Sequence, residues 1–261
     1  MLKKVLKYDI KNIYRPFMIT YVCLLVLSLA ATMIKQIEHY SNAILLNLFS
    51  NLFLVAYILA NVGLFLGCII FIVVDFYKSF LTDKGFLTFT LPVKTSTLVL
   101  SKVINAVIWE FISFLVFVIA QIIFSGPSEF FRIIRVIPEM LEAIEYFGLL
   151  GFAIEIGGII LLSIINAPLV LFACMAIGQC FSKQKILASI ATYIVISFII
   201  QFVSMAAIFI FSLGASSYEY IVLNSVTGLH AYLIFIFLFQ LLLCIIYYFA
   251  TILSFKKKLN L

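Results

Sequence analysis

Long apolar stretches separated by short polar segments dominate the chain. The apolar residues run continuously rather than alternating with polar ones, so the pattern predicts helices and excludes the strands of a membrane barrel. Each stretch is close to or above the ~18 residues that cross a bilayer as a helix. There are six of them: 17–34, 52–74, 103–124, 147–181, 186–211 and 229–255. We therefore expect an all-α polytopic membrane protein with six transmembrane helices.

The composition agrees with a membrane environment and excludes several classes of protein. Of the 261 residues, 66% are hydrophobic and 11% are charged, against roughly 45–50% and about 25% in soluble domains. A water-soluble enzyme, a nucleic-acid-binding protein and a secreted disulfide scaffold are therefore excluded. Six spans leave room only for short connections. We expect one transmembrane domain over residues 1–261, with no catalytic site, no metal site and no cofactor bound by this chain.

The basic residues give the predicted orientation, because Lys and Arg favour the cytoplasmic side of a membrane. With an even number of spans, both termini lie on the same side. Placing them in the cytoplasm puts 14 of the 17 Lys and Arg residues inside and leaves only Lys35, Arg132 and Arg135 outside. We therefore expect cytoplasmic termini, with an extracellular segment between spans three and four.

Residues 1–16 form a basic, amphipathic segment before the first span. Leu2, Leu6, Ile10 and Ile13 recur every three or four residues, and the lysines fall largely off that stripe. This pattern predicts a helix that lies on the inner leaflet, with its lysines toward anionic head groups. The helical periodicity disfavours the alternative, a cleaved signal peptide.

The predicted extracellular segment 125–146 has an amphipathic pattern of its own. Gly126-Pro127-Ser128 is typical of a helix start with Ser128 as the cap. An apolar stripe with charged flanks follows it. We expect a helix against the outer membrane face, interrupted near Pro138.

The fourth apolar stretch is too long for one upright span. Its 35 residues, 147–181, would extend about 52 Å as a helix, against a bilayer core of about 30 Å. Pro168 should kink that helix. Residues 147–158 would then lie at or above the outer surface; the alternative is a strongly tilted or broken span.

The largest predicted cytoplasmic feature is the segment 75–102, between spans two and three. Phe76, Tyr77 and Phe80 share one face of a short predicted helix, and Gly85, in the left-handed conformation, is expected to end it. An exposed helix with an apolar face and a charged rim is suited to docking in the groove of a partner protein. The alternative is a helix that lies on the inner leaflet.

Four short motifs lie in this segment: Phe76-Tyr77-Lys78, Asp83-Lys84-Gly85-Phe86, Thr90-Leu91-Pro92-Val93 and Ser101-Lys102. Together they resemble a pattern found in the membrane subunits of ABC transporters of the ABC-2 type. Bacterial permeases of that family commonly carry an acidic–basic pair before a glycine, a Leu-Pro-Val sequence and a Ser-Lys pair that opens span three. Lys84 stands where many relatives have a glutamate. A basic amphipathic helix before six spans is a further similarity.

The resemblance implies a permease that works with other subunits in the plasma membrane of a bacterium. Residues 1–16 would be an elbow helix, and 75–102 would carry the coupling helix for a separate ABC ATP-binding subunit that holds ATP and Mg²⁺. A second permease subunit, identical or different, would complete the transporter. Relatives export drugs, lipids, polysaccharides or peptides, and small members often handle antimicrobial or amphipathic peptides. The residues implied in ATPase contact are Phe76, Tyr77, Lys78, Phe80, Asp83, Lys84, Gly85 and Phe86, with Lys183 and Lys185 as a second, smaller contact.

Glu110 is the ionisable residue predicted to lie deep in a span. It follows Lys102 by eight residues, about 12 Å along a helix, so it should face protein or a water-filled path rather than lipid. It is a candidate for the translocation path, or else a buried glutamate that joins helices. Interhelical hydrogen bonds are expected from Asn61, Gln121, Asn166 and Gln201.

Two other functions are weighed against the exporter permease. A secondary transporter or channel that works without an ATPase usually shows charged or broken helices near the middle of the membrane, and internal repeats. Here only Glu110 is predicted to be deep. An intramembrane enzyme is disfavoured because the predicted spans contain no paired His or Asp residues.

Overall fold

The structure is a computed structural model, and it describes residues 2–40, 44–82, 85, 90, 93–126, 131–132, 134–139, 142, 150–181, 184–217 and 226–259. Within these residues every regular element is an α-helix, as the apolar pattern predicts. The six long helices are α1 (Leu2–Tyr40), α2 (Ile44–Phe80), α3 (Thr95–Ser125), α4 (Leu150–Gly178), α5 (Lys185–Ser217) and α6 (Val226–Leu259). Each is long and apolar enough to cross a membrane. The prediction of a multi-pass helical membrane fold is therefore confirmed at this level.

The N-terminal amphipathic segment is not a separate helix. α1 runs for 39 residues from Leu2 through Pro16 to Tyr40. A proline removes one intrahelical hydrogen bond and bends a helix, but it does not end a helix that is well formed on both sides. Residues 2–16 are therefore helical, as predicted, yet continuous with the first span. The Nδ2 atom of Asn12 also donates a hydrogen bond to Oδ1 of Asp75 on α2, at 2.7 Å.

The chain divides into two compact units. The first comprises residues 1–76 and 104–146, and so contains α1, most of α2 and most of α3. The second comprises residues 77–103 and 147–261. It contains α4, α5 and α6, together with the last turn of α2 and the beginning of α3.

An aromatic cluster forms the core of the first unit. The Phe17 ring of α1 stacks on the Trp109 ring of α3, with centroids 4.5 Å apart, and meets the edge of Phe71 of α2 at 5.2 Å. One turn along α1, the hydroxyl of Tyr21 shares a 2.8 Å hydrogen bond with that of Ser113. Apolar residues at helical spacing on α1 therefore pack against two neighbouring helices.

The second unit is organised around α4, which packs against both α5 and α6. Gly178, near the end of α4, allows α5 to approach closely. A Cβ atom at this position would lie against the Ser189 side chain and only 2.7 Å from the Ser189 backbone nitrogen. The beginning of α3 belongs to this unit too, because the Tyr248 hydroxyl of α6 donates a hydrogen bond to the Ser96 carbonyl at 3.2 Å.

The fourth apolar stretch forms one helix, α4, that is unbroken over Leu150–Gly178 with Pro168 inside. Its 29 residues extend about 44 Å, which still exceeds a core of about 30 Å. α4 is therefore longer than one upright span, as predicted, but the alternative of a broken span is wrong for the described residues.

In the predicted extracellular segment, residues 131–132, 134–139 and 142 are helical and exposed, and the helical stretch 134–139 includes Pro138.

Candidate functional site

A cavity of about 520 Å³ lies among α4, α5 and α6 in the second unit. Its volume is within the range of roughly 300–1,000 Å³ that is typical of small-molecule sites. The polar groups around it are hydroxyls and carboxamides. They belong to Ser163, Asn166, Tyr193, Ser197, Gln201, Ser204, Tyr232, Gln240 and Tyr247. The site can therefore offer several hydrogen bonds without offering a full charge.

Helical spacing brings these polar side chains together. On α5, Tyr193, Ser197, Gln201 and Ser204 are separated by four, four and three residues, so they lie on one face of the helix. A polar stripe on a membrane helix is costly when it faces lipid. In the fold this stripe lies along the cavity, where Tyr193, Gln201 and Ser204 remain exposed.

Hydrogen bonds join two of the three cavity walls, α4 and α6. The Nε2 atom of Gln240 donates to the Ser163 hydroxyl at 3.1 Å, and Nδ2 of Asn166 donates to the backbone carbonyl of Gln240 at 3.0 Å. The prediction that Asn166 forms an interhelical hydrogen bond is therefore confirmed. Asn61 was also predicted to bond between helices, but its Nδ2 atom donates to the backbone carbonyl of Tyr57 on the same helix.

Two polar atoms at the cavity have no hydrogen-bond partner among the described residues. They are the hydroxyl of Tyr247 and Oδ1 of Asn166. Tyr247 is only 5% exposed. A buried polar group without a partner is unfavourable and requires an explanation, and a bound molecule would supply one.

A histidine–glutamate pair lies beyond one end of the cavity. Nδ1 of His230 on α6 is 2.8 and 2.9 Å from the two carboxylate oxygens of Glu155 on α4. The Phe152 ring stacks on the imidazole with centroids 3.9 Å apart. His230 is two residues before Tyr232, which lines the cavity. The pair therefore holds α4 and α6 together at that end, which the charge distribution predicts to be extracellular.

The apolar face predicted to contact the ATPase is buried within this chain rather than exposed. Phe76 and Phe80 are 0% and 6% exposed, and the Phe80 ring packs against Phe255 of α6 with centroids 5.4 Å apart. An amphipathic face looks the same in sequence whether it packs on its own chain or on a partner. The two phenylalanines are thus unavailable for docking, whereas Tyr77 is half-buried and Lys78 is exposed. These residues form the last turn of α2 rather than a separate short helix.

Gly85 is required for a different reason from the one predicted. Its backbone does not adopt the left-handed conformation. Its nitrogen donates a 2.7 Å hydrogen bond to the Thr82 carbonyl, and a Cβ atom would collide with the carbonyl of Phe80. Gly85 therefore permits a close backbone approach just after α2. Asp83, Lys84 and Phe86 lie outside the described residues.

The remaining predicted site residues lie in separate places. Lys185 is exposed and begins α5, while Lys183 lies outside the described residues. Glu110 is half-buried on α3, in the first unit. The side chains that line the cavity all belong to the second unit, so Glu110 is not one of them.

Sequence reasoning did not find the cavity or the pair at its end, although one signal was present. The polar residues of α5 repeat at helical spacing within an otherwise apolar span. Glu155 and His230 are 75 residues apart, so only the packing of α4 on α6 reveals them as partners.

Comparison of the chain with protein-family models, curated proteins and solved structures finds no match.

Proposed function

We propose that this chain is the permease subunit of an ATP-driven exporter of the ABC-2 type, which moves peptides or other amphipathic molecules out of a bacterial cell. The observation that carries the proposal is the cavity among α4, α5 and α6. An uncharged polar site between membrane helices is suited to a molecule that is partly apolar and partly hydrogen-bonding. The resemblance of the segment 75–102 to ABC-2 permeases supports the ATP-driven part.

In this proposal both termini are cytoplasmic and residues 1–16 act as the elbow helix. A separate ATP-binding subunit docks on the segment 75–102, where Tyr77 and Lys78 remain accessible. A second permease subunit completes the transporter. This chain holds neither ATP nor Mg²⁺, which belong to the partner.

The cavity walls indicate how movement at the cytoplasmic side would reach the substrate. α4 and α6 are joined by hydrogen bonds through Gln240 and by the Glu155–His230 pair. α5 begins at Lys185, at the proposed second ATPase contact, and meets α4 at the close approach of Gly178 and Ser189. A push on the start of α5 would pivot it at that approach and move its polar stripe relative to the α4–α6 wall.

Co-purification with a co-expressed ABC ATP-binding subunit from the same organism tests the proposal. Tyr77→Ala combined with Lys78→Glu removes an accessible ring and reverses an exposed charge, without touching the buried Phe76 or Phe80. Loss of an interface anchor costs about 2 kcal/mol, so retention should fall roughly thirtyfold. Arg135→Glu, an exposed charge reversal on the predicted opposite side, is the control. Equal retention in all three proteins would contradict the proposal.

One observation favours a second candidate, an ATPase-independent transporter coupled to protons. Glu155 and His230 form a titratable pair between two membrane helices, close to the cavity, and such pairs serve as proton relays in secondary transporters. In that case Glu155→Gln would abolish transport driven by a proton gradient. In the ABC proposal the same change would leave ATP-driven transport largely intact, since the pair only joins α4 to α6.

A further inference from the structure

The cavity lining carries no ionisable acid or base among its described residues other than tyrosine hydroxyls. A charged ligand bound there, between membrane helices, would find no counter-charge in this lining, which is unfavourable. The hydroxyls and carboxamides do compensate for neutral donors and acceptors. The lining therefore discriminates by charge.

The two unpartnered atoms define what the ligand must provide. The Nδ2 atom of Asn166 is engaged with the Gln240 carbonyl, so its remaining atom, Oδ1, can only accept a hydrogen bond. The Tyr247 hydroxyl can donate or accept. An amide N–H or a hydroxyl group of the ligand could donate to Oδ1 of Asn166. A second polar group of the ligand, within reach of α6, could form a hydrogen bond with the Tyr247 hydroxyl.

The apolar part of the lining matches the remainder of such a ligand. Phe235 and Phe239 present rings from α6, and Val170 and Ile200 add aliphatic surface from α4 and α5. A purely polar molecule would leave this surface without contacts. A purely apolar one would leave the Tyr247 hydroxyl unpartnered.

We infer that the cavity among α4, α5 and α6 binds an uncharged, largely apolar molecule that carries amide or hydroxyl groups, with Tyr247 as one of its hydrogen-bonding contacts. This inference rests on the proposed function, because it names the substrate class of the proposed transporter. Two sources share this chemistry: a capped apolar peptide and a neutral acylglycerol.

Photoaffinity labelling of the full chain in phosphatidylcholine nanodiscs tests the inference. The first probe is an acetylated tripeptide amide with benzoylphenylalanine between two leucines. Two further probes replace one leucine by lysine or by aspartate, and a fourth is a monoacylglycerol that carries a diazirine. Mass spectrometry then maps the labelled residues.

We expect the neutral peptide, the acylglycerol or both to label α4, α5 or α6 at the cavity at least tenfold more than the charged peptides. Tyr247→Phe should reduce this labelling about threefold to tenfold, the equivalent of one hydrogen bond, while thermal stability stays the same or rises. Tyr248→Phe is the matched control, because the Tyr248 hydroxyl is engaged with the Ser96 carbonyl instead. Equal labelling by charged and neutral probes, or unchanged labelling of Tyr247→Phe, would overturn the inference.

A charge introduced into the cavity gives an independent test. Gln201→Glu keeps the shape of a lining side chain but adds a carboxylate. We expect the lysine-containing peptide to label this variant more strongly than the neutral one, reversing the order in the unmodified protein. An unchanged order would also overturn the inference. None of these measurements needs an ATP-binding subunit. Their failure is therefore distinguishable from failure of the proposed function, which shows as equal retention of the ATP-binding subunit by the unmodified protein, the Tyr77→Ala/Lys78→Glu variant and Arg135→Glu.

Discussion

Two buried tyrosines, one in each unit, differ in what surrounds the hydroxyl group. Tyr21 and Tyr247 are both 5% exposed. The Tyr21 hydroxyl bonds to Ser113 inside the aromatic cluster, whereas the Tyr247 hydroxyl borders a cavity and has no partner among the described residues. Two equally buried tyrosine hydroxyls therefore differ in what they can do: that of Tyr21 is engaged within the α1–α3 interface, and that of Tyr247 is available to a ligand in the α4–α5–α6 cavity.

The largest expected effect separates the filled interface from the cavity. Phe17→Ala removes a fully buried ring that stacks on Trp109, and such deletions cost about 3–5 kcal/mol in protein cores. Phe239→Ala deletes the same atoms beside an existing cavity, so it should cost less than half as much. Thermal unfolding of the purified variants in detergent measures both. Equal losses would show that the cavity wall is packed as tightly as the aromatic cluster.

An intermediate effect is expected where helices approach through glycine. Gly178→Ala places a Cβ against the side chain and backbone of Ser189, and overpacking of this kind typically costs about 1–3 kcal/mol. Gly157→Ala, on the same helix with no atom within 4 Å of the added Cβ, is the control and should be neutral or slightly stabilising. The unfolding midpoint of each variant provides the comparison. A Gly178→Ala protein as stable as the control would mean that α5 is free to shift away from α4.

The smallest effect addresses the two tyrosines directly. Tyr21→Phe breaks a buried hydrogen bond and leaves Ser113 without this partner, which costs about 1 kcal/mol. Tyr247→Phe removes a hydroxyl that has no partner, so its stability should not fall. The same thermal assay reports both changes. A destabilised Tyr247→Phe protein would indicate that the hydroxyl is bonded within the protein, and the comparison between the units would fail.

The sequence predicts the parts of the fold that depend on local pattern. Six uninterrupted apolar stretches yield six long helices, because the length and hydropathy of each segment decide whether it can cross a membrane. The sequence predicts residues 1–16 as a separate helix, but α1 continues from them through Pro16 into the first span. One proline weakens a long helix without ending it.

The site is harder to predict because it depends on which helices meet. Glu155 and His230 become partners only through the packing of α4 on α6. Phe76 and Phe80 form an apolar face as predicted, but it is covered by the chain itself. Gly85 was recognised as a required glycine, yet the requirement comes from the nearby Phe80 carbonyl rather than from its own conformation. The α5 stripe, in contrast, is visible in the spacing of its polar residues.

Transport into inside-out vesicles that contain the chain and a co-expressed ABC ATP-binding subunit tests the proposed function most directly. A fluorescent, capped apolar peptide is the substrate, and its uptake is followed with ATP, with a non-hydrolysable ATP analogue and with ATP plus a protonophore. We expect uptake only when ATP can be hydrolysed, undiminished by the protonophore and reduced at least threefold by Tyr247→Phe. Uptake without ATP hydrolysis that the protonophore abolishes would contradict the account and identify a proton-coupled transporter instead.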